Sequence, residues 1–195
     1  MAKIRAGFVS NSSSSSFIIG LPNGDITEEV LSDALFGPVN DISDIGFGIG
    51  YDRGISADAA LKCVFDDVKN TTPATVESLA DTVHGLRYGS VPSFIREVAK
   101  DEPDYDMVVY GSKDYRVQRE LSDEDRRNRW DHYSKLTAEW REKVAKLIIE
   151  HGEEKGVTWY VVEYSDDTSL GSTMEHGGVF DQMIKQGMCI RISNH

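Results

Sequence analysis

Residues 7–17 read GFVSNSSSSSF. The serines Ser12–Ser16 stand between two apolar segments. A serine tract is ordinarily a flexible linker. Here Phe8 and Val9 precede it, and Phe17, Ile18 and Ile19 follow it. Burying each such large side chain is worth about 1.5–3 kcal/mol. Two buried strands, Ile4–Ser10 and Phe17–Leu21, are therefore expected, with Ser10–Ser16 as a loop anchored at both ends. The first strand is expected inside a sheet, paired with Val157–Tyr164 or Met188–Ile192 from the far end of the chain. The N–H groups and hydroxyls of such a loop can converge on an anion or satisfy one another. A plain polar connector is the preferred reading.

Outward from this stretch, Pro22-Asn23-Gly24-Asp25 is a turn signal. Asp25 with Glu28 three residues on predicts a capped helix through Phe36, closed by Gly37-Pro38. Residues 38–55 read as a flexible Gly-rich loop or a strand-edge segment. Gly46, Gly48 and Gly50 alternate with apolar residues but open into no helix, a poor match to a phosphate loop. Ser56 caps a helix to about Lys69, with Ala60, Leu61, Val64, Phe65 and Val68 on one face. Shorter helices are expected over Val76–Leu86 and after Pro92. Met107–Tyr110 reads as a short buried strand and Tyr115–Leu121 as another.

The spacing of Trp130, Tyr133, Leu136, Trp140, Val144, Leu147 and Ile148 predicts a long helix from Asp123 to His151, read as a core face. Ser122 is its cap, Asp123–Asp125 suit its positive end, and Gly152 is its stop. Strand Val157–Tyr164, a polar loop over 165–176, a short helix Val179–Lys185 and strand Met188–Ile192 complete the chain. The order predicts a single α+β domain over 1–195. It is expected to hold one mixed β-sheet, helices mainly on one face, and a long helix in the C-terminal half.

With 195 residues, 39% of them hydrophobic, the chain can bury a real core. A net charge of -12 lacks the basic footprint of a nucleic-acid binder, so direct nucleic-acid binding is not expected. The charge suits solubility, a basic protein partner or mimicry of a polyanion instead. No run approaches the roughly 18 apolar residues of a membrane helix, and the first ten residues lack the core of a secretory signal. Cys63 and Cys189 have no metal-type spacing and read as packed thiols in a reducing compartment.

Familiar catalytic signatures are missing: no GxSxG, no HExxH and no GxxxxGK[ST]. His84, His132 and His151 fall in helical patterns and read as structural. Polar chemistry gathers at the two ends of the chain instead, in the serine run and in SDDTSLGSTMEH (165–176) with the terminal His195. Loops leaving the ends of neighbouring strands share one sheet edge. Ser12, Ser13, Ser14, Ser15, Asp166, Glu175, His176 and His195 are therefore the candidate binding residues. The preferred reading is an internal clasp of hydroxyls and carboxylates that needs no cofactor. The alternative is a divalent metal, zinc or manganese, on Asp166, Glu175, His176 and His195.

KIRAGFVSNSSSSSFII at the start resembles the opening of a group of small uncharacterised proteins of large tailed bacteriophages and some bacteria. YSDDTSLGSTMEHGGVF (Tyr164–Phe180) and the terminal IRISNH (Ile190–His195) resemble the same group. Together these segments cover about a fifth of the chain; residues 40–155 carry no resemblance. The resemblance implies a phage setting, in the host cytoplasm or the virion, and no particular activity. Two functions follow. One is a non-catalytic acidic protein that binds a host or virion protein. The other is a small metal-dependent hydrolase whose site joins the serine loop to the C-terminal Asp/Glu/His segment.

Overall fold

The structure, a computed structural model, describes residues 14–38, 42, 45–48, 54–84, 86, 91–115, 118, 120–165 and 167–193. Its sheet is built around β1 (Ser14–Pro22), which lies between β4 (Val157–Ser165) and β5 (Cys189–Ser193). Both pairings are antiparallel, with Ser14 opposite Ser165 and Ser15 opposite Ser193. The start of β1 and the ends of β4 and β5 therefore share one end of the sheet. β2 (Gly46–Phe47) and β3 (Ile55–Ser56) form a separate antiparallel pair.

Successive side chains of a strand point to opposite faces. Phe17, Ile19 and Leu21 face α1 (Glu28–Phe36), α2 (Ala57–Lys69), α6 (Ser169–His176) and α7 (Asp181–Lys185). Ile18 faces the other way with Ile190, Ile192 and Trp159. They pack on α3 (Val76–Thr82), α4 (Arg96–Ala99) and α5 (Asp123–Lys155). A central strand apolar on both faces needs cover on both, which explains the unbroken FIIGL run.

α5 has 33 residues, about 50 Å at a helical rise of about 1.5 Å per residue. Ser122 caps it by accepting from the Asp125 N–H, and Gly156, at φ 68°, closes its other end. Thr137, Trp140, Val144, Ala145, Ile148 and Gly152 are its buried residues, so its second half lies on the sheet and its first half stands off it.

The α+β class and the long helix stand; several finer expectations are corrected. The three-stranded sheet is antiparallel rather than mixed, and helices cover both faces rather than mainly one. Ser14–Ser16 belong to β1 and not to a loop, because Ser14 pairs with β4 and Ser15 and Ser16 pair with both neighbours. Residues 38–55 contain β2 and the first residue of β3. Met107–Tyr110 lies in a π-helical turn, Asp106–Tyr110, not a strand. The Asp104 carbonyl and carboxylate accept from the Val108 and Met107 N–H groups, and this local bonding overrides the β-propensity of the valines. The described part of Tyr115–Leu121 holds no strand. α3 ends at Thr82 and α5 continues past Gly152 to Lys155. Thr27, not Asp25, caps α1. The 165–176 segment is largely helix α6, capped by Thr168. The expected strand Ile4–Ser10 lies outside the described residues.

Among the described residues, no helix is long and apolar enough to cross a membrane.

Candidate functional site

Three elements bring a polar cluster together at the shared end of the sheet. β1 turns Ser15 toward α6, the last turn of α6 supplies Glu175 and His176, and β5 supplies Arg191. Arg191 stands opposite Phe17, with its guanidinium carbon 5.8 Å from the ring centre. The Ser15 hydroxyl donates to Glu175 Oε1 at 2.9 Å. Arg191 donates to Ser15 Oγ from Nε at 3.4 Å and from Nη2 at 3.5 Å. Arg191 Nη2 also lies 3.2 Å from His176 Nδ1. A guanidinium only donates, so Nδ1 accepts and the ring hydrogen of a neutral His176 is assigned to Nε2. Nε2 lies 3.6 Å from Glu175 Oε2.

Ser15 and the Glu175 side chain are fully buried, while His176 is partly open to solvent. The Ser15 hydroxyl both gives and receives a hydrogen bond and is closed to solvent, so it has no geometry for nucleophilic attack. A cavity of about 90 Å³ adjoins the cluster, lined by Phe17, Glu175, His176, Phe180, Asp181 and Arg191 among others. The arrangement ties the start of β1 to α6 and β5.

Of the candidate residues, Ser15, Glu175 and His176 come together, and Ser14 begins β1 beside them. Ser12, Ser13, Asp166 and His195 lie outside the described residues. Among the described residues, no group of three or more His, Cys, Asp and Glu side chains could hold a metal ion. Arg191 is the member that sequence reasoning missed. Its signal was visible: a cation in the middle of CIRIS, at an alternation position shared with buried Cys189.

A second polar contact links α2 to β4 on the same face. Tyr164 Oη donates to Asp67 Oδ2 at 2.9 Å, and Cys63 Sγ lies 3.8 Å from the same oxygen. Burial, then the Asp67 charge, pushes the Cys63 thiol up to about 11. Burial pushes the buried Cys189 thiol up as well. Both cysteines are free thiols held in the protonated, unreactive form.

The half of α5 that stands off the sheet carries a different feature. Tyr105 meets Tyr110, Trp130 and Tyr133 edge-on, at centroid distances of 5.8, 5.6 and 5.3 Å. Trp130 and Tyr133 are 5.9 Å apart. Arg129 Nη1 donates to the Val109 carbonyl at 3.1 Å and pins the π-helical turn to α5. The side-chain hydrogen bond between Tyr105 and Tyr110 pushes the Tyr105 phenol up. Trp130 stays 51% exposed and Met107, on the same turn, 48%. Charges of both signs stand near the patch: Asp106 and Arg126 act on Tyr105, Arg129 bonds the turn, and Asp104 pairs with Lys113 at 2.8 Å. Comparison with protein-family models, with curated proteins and with solved structures returns no match to this chain.

Proposed function

We propose that this chain is an acidic, non-catalytic interaction protein that docks a protein partner through the aromatic patch of α5 and the π-helical turn. The observation that carries this reading is Trp130, half-exposed and braced by Tyr105 and Tyr133. Exposed Trp and Tyr residues dominate binding energy at protein interfaces. A tryptophan held by its neighbours loses little rotational freedom on binding. The net charge of -12 favours a partner with a basic surface, whose arginines can stack on the rings. The resemblance of the chain ends to phage proteins supports a partner in the infected host or the virion. The hydrolase reading is weaker, because the hydrogen bonds of Ser15 are committed within the fold.

The test is copurification from phage-infected cells with the wild-type chain and with Trp130→Ala. A partner retained by the wild type and lost by the variant, with equal thermal stability of the two, supports the reading. Its association should weaken as salt rises through the physiological range, where charges are screened over about 8–10 Å. An identical set of retained proteins for both chains overturns it.

A further inference from the structure

Helix α1 carries the carboxylates Glu28, Glu29 and Asp33 and no lysine or arginine. Glu28 and Glu29 stand in its first turn, where a negative charge suits the dipole. Asp33 stands near its other end, ahead of the closing Phe36, where a negative charge opposes the dipole. Aspartate is also a weak helix former. Asp33 is exposed, and among the described residues no lysine, arginine or histidine forms an ion pair with it. Breaks of local rules of this kind are expected at functional positions.

Asp33 borders a pocket of about 310 Å³ between α1 and α7. Val30 and Ala34 line it from α1, Met183 from α7, and Met188 from the residue ahead of β5. Asp33 and Gln186 supply its polar side chains. Gly20 contributes by what it lacks, since a Cβ there would lie 3.0 Å from the Met188 methyl carbon. Met188 is only partly buried, and a methionine thioether repacks readily around apolar shapes. Apolar walls, a few polar groups and a volume of about 300 Å³ or more make up a small-molecule site.

We propose that this pocket binds a small organic amine, an aromatic ring on a short chain, whose ammonium group pairs with Asp33. A cavity of about 150 Å³ holds one benzene, so this one has room for a ring and its chain. Burial of the ring against Val30, Ala34 and Met188 supplies affinity. Asp33 sets the sign of the charge accepted, and the Gln186 amide oxygen is a second acceptor for the ammonium. The net charge of -12 draws in cations and repels carboxylates. The pocket shares no residue with the aromatic patch of α5.

The probe is phenethylamine, titrated into the full chain isotope-labelled at its methionine methyl groups, with methyl NMR as the readout. The Met188 signal is expected to shift saturably, with a Kd of about 1 mM or tighter. The signal of Met107, beside Trp130, should stay in place. Asp33→Asn should weaken binding about threefold or more with unchanged circular dichroism. Phenethyl alcohol, the same shape without the charge, should bind more weakly by a similar factor. Ethylamine, the charge without the ring, should leave Met188 unmoved. A Met188 signal that does not respond to phenethylamine overturns the proposal, as does a response of Met107 in its stead. Equal binding of the alcohol and the amine overturns it too. So does an Asp33→Asn chain that binds the amine as tightly as the wild type.

Discussion

Ser15 and Glu175, 160 positions apart in sequence, share a 2.9 Å hydrogen bond in a site closed to solvent. The bond makes the first strand of the sheet and helix α6 depend on one another. Arg191 extends the dependence to the last strand.

Removal of either partner should therefore cost more than its size suggests. Ser15→Ala is expected to lose about 1.5–3 kcal/mol, the worth of a hydrogen bond to a charged group. Glu175→Ala is expected to lose about 3 kcal/mol, because it strips a buried network of its carboxylate. Since both variants remove the same bond, the double variant should lose clearly less than the sum. Urea denaturation of the four proteins measures this, and strictly additive losses would dismiss the clasp.

Alkaline pH should destabilise the fold through the contact between α2 and β4. The Cys63 thiol is pushed up from 9.0 to about 11, and burial, then Asp67, pushes the Tyr164 phenol up from 10.0. The unfolded chain releases these protons first. Stability is thus full below about pH 9 and falls as pH rises through about 11. Tyr164→Phe removes one of the two groups, so its melting temperature should fall less steeply over that window. A slope equal to that of the wild type contradicts this assignment.

Gly152→Ala offers a test with a decided sign. Helix propensity alone predicts a gain of about 1 kcal/mol for replacing an interior glycine. A Cβ at this position would lie 2.5 Å from Trp159 Nε1 and 2.9 Å from the Val157 carbonyl oxygen. Overpacking of this kind costs about 1–3 kcal/mol, so a net loss is expected in thermal melting. A stabilised variant would mean that the indole moves aside freely.

The two halves of α5 should differ in hydrogen exchange. Amides of Arg126–Ser134 lie where the helix buries nothing fully, and those of Trp140–Ile148 lie over the sheet. Faster exchange of the first group by one to several decades is expected, since local opening there breaks few apolar contacts. Uniform protection along the helix would show that the outer half is anchored by more than the aromatic cluster.

The sequence was legible where a local pattern and its tertiary use coincide. Ser122 caps α5 as its position suggests, and the spacing of Trp140, Val144 and Ile148 is that of a core face. The same stripe misleads at Trp130, which is half-exposed and meets the rings of Tyr105 and Tyr133 at the outer end. Gly152 reads as a stop because glycine usually is one. Its actual role, admitting the indole of Trp159, depends on a residue in the following strand. The serines read as a loop for the same reason. Nothing near Ser15 in sequence announces that it pairs with two strands or that Arg191 will meet it. The clustering of Ser15, Glu175 and His176 was legible, because strand ends that lie side by side share one edge.

The position of β1 has a consequence for how the protein comes to be made. β1 leaves the ribosome well before β4 and β5 and is the strand between them. Its partner Arg191 follows Ser15 by 176 positions. At about 5–20 residues per second, the FIIGL stretch waits on the order of ten seconds or more for its neighbours. For that interval an apolar strand with two unpaired edges must be kept from pairing with other chains. Ser14–Ser16, hydrophilic and weak in β-propensity, then serve as a solubilising flank until the later strands arrive to take them into the sheet.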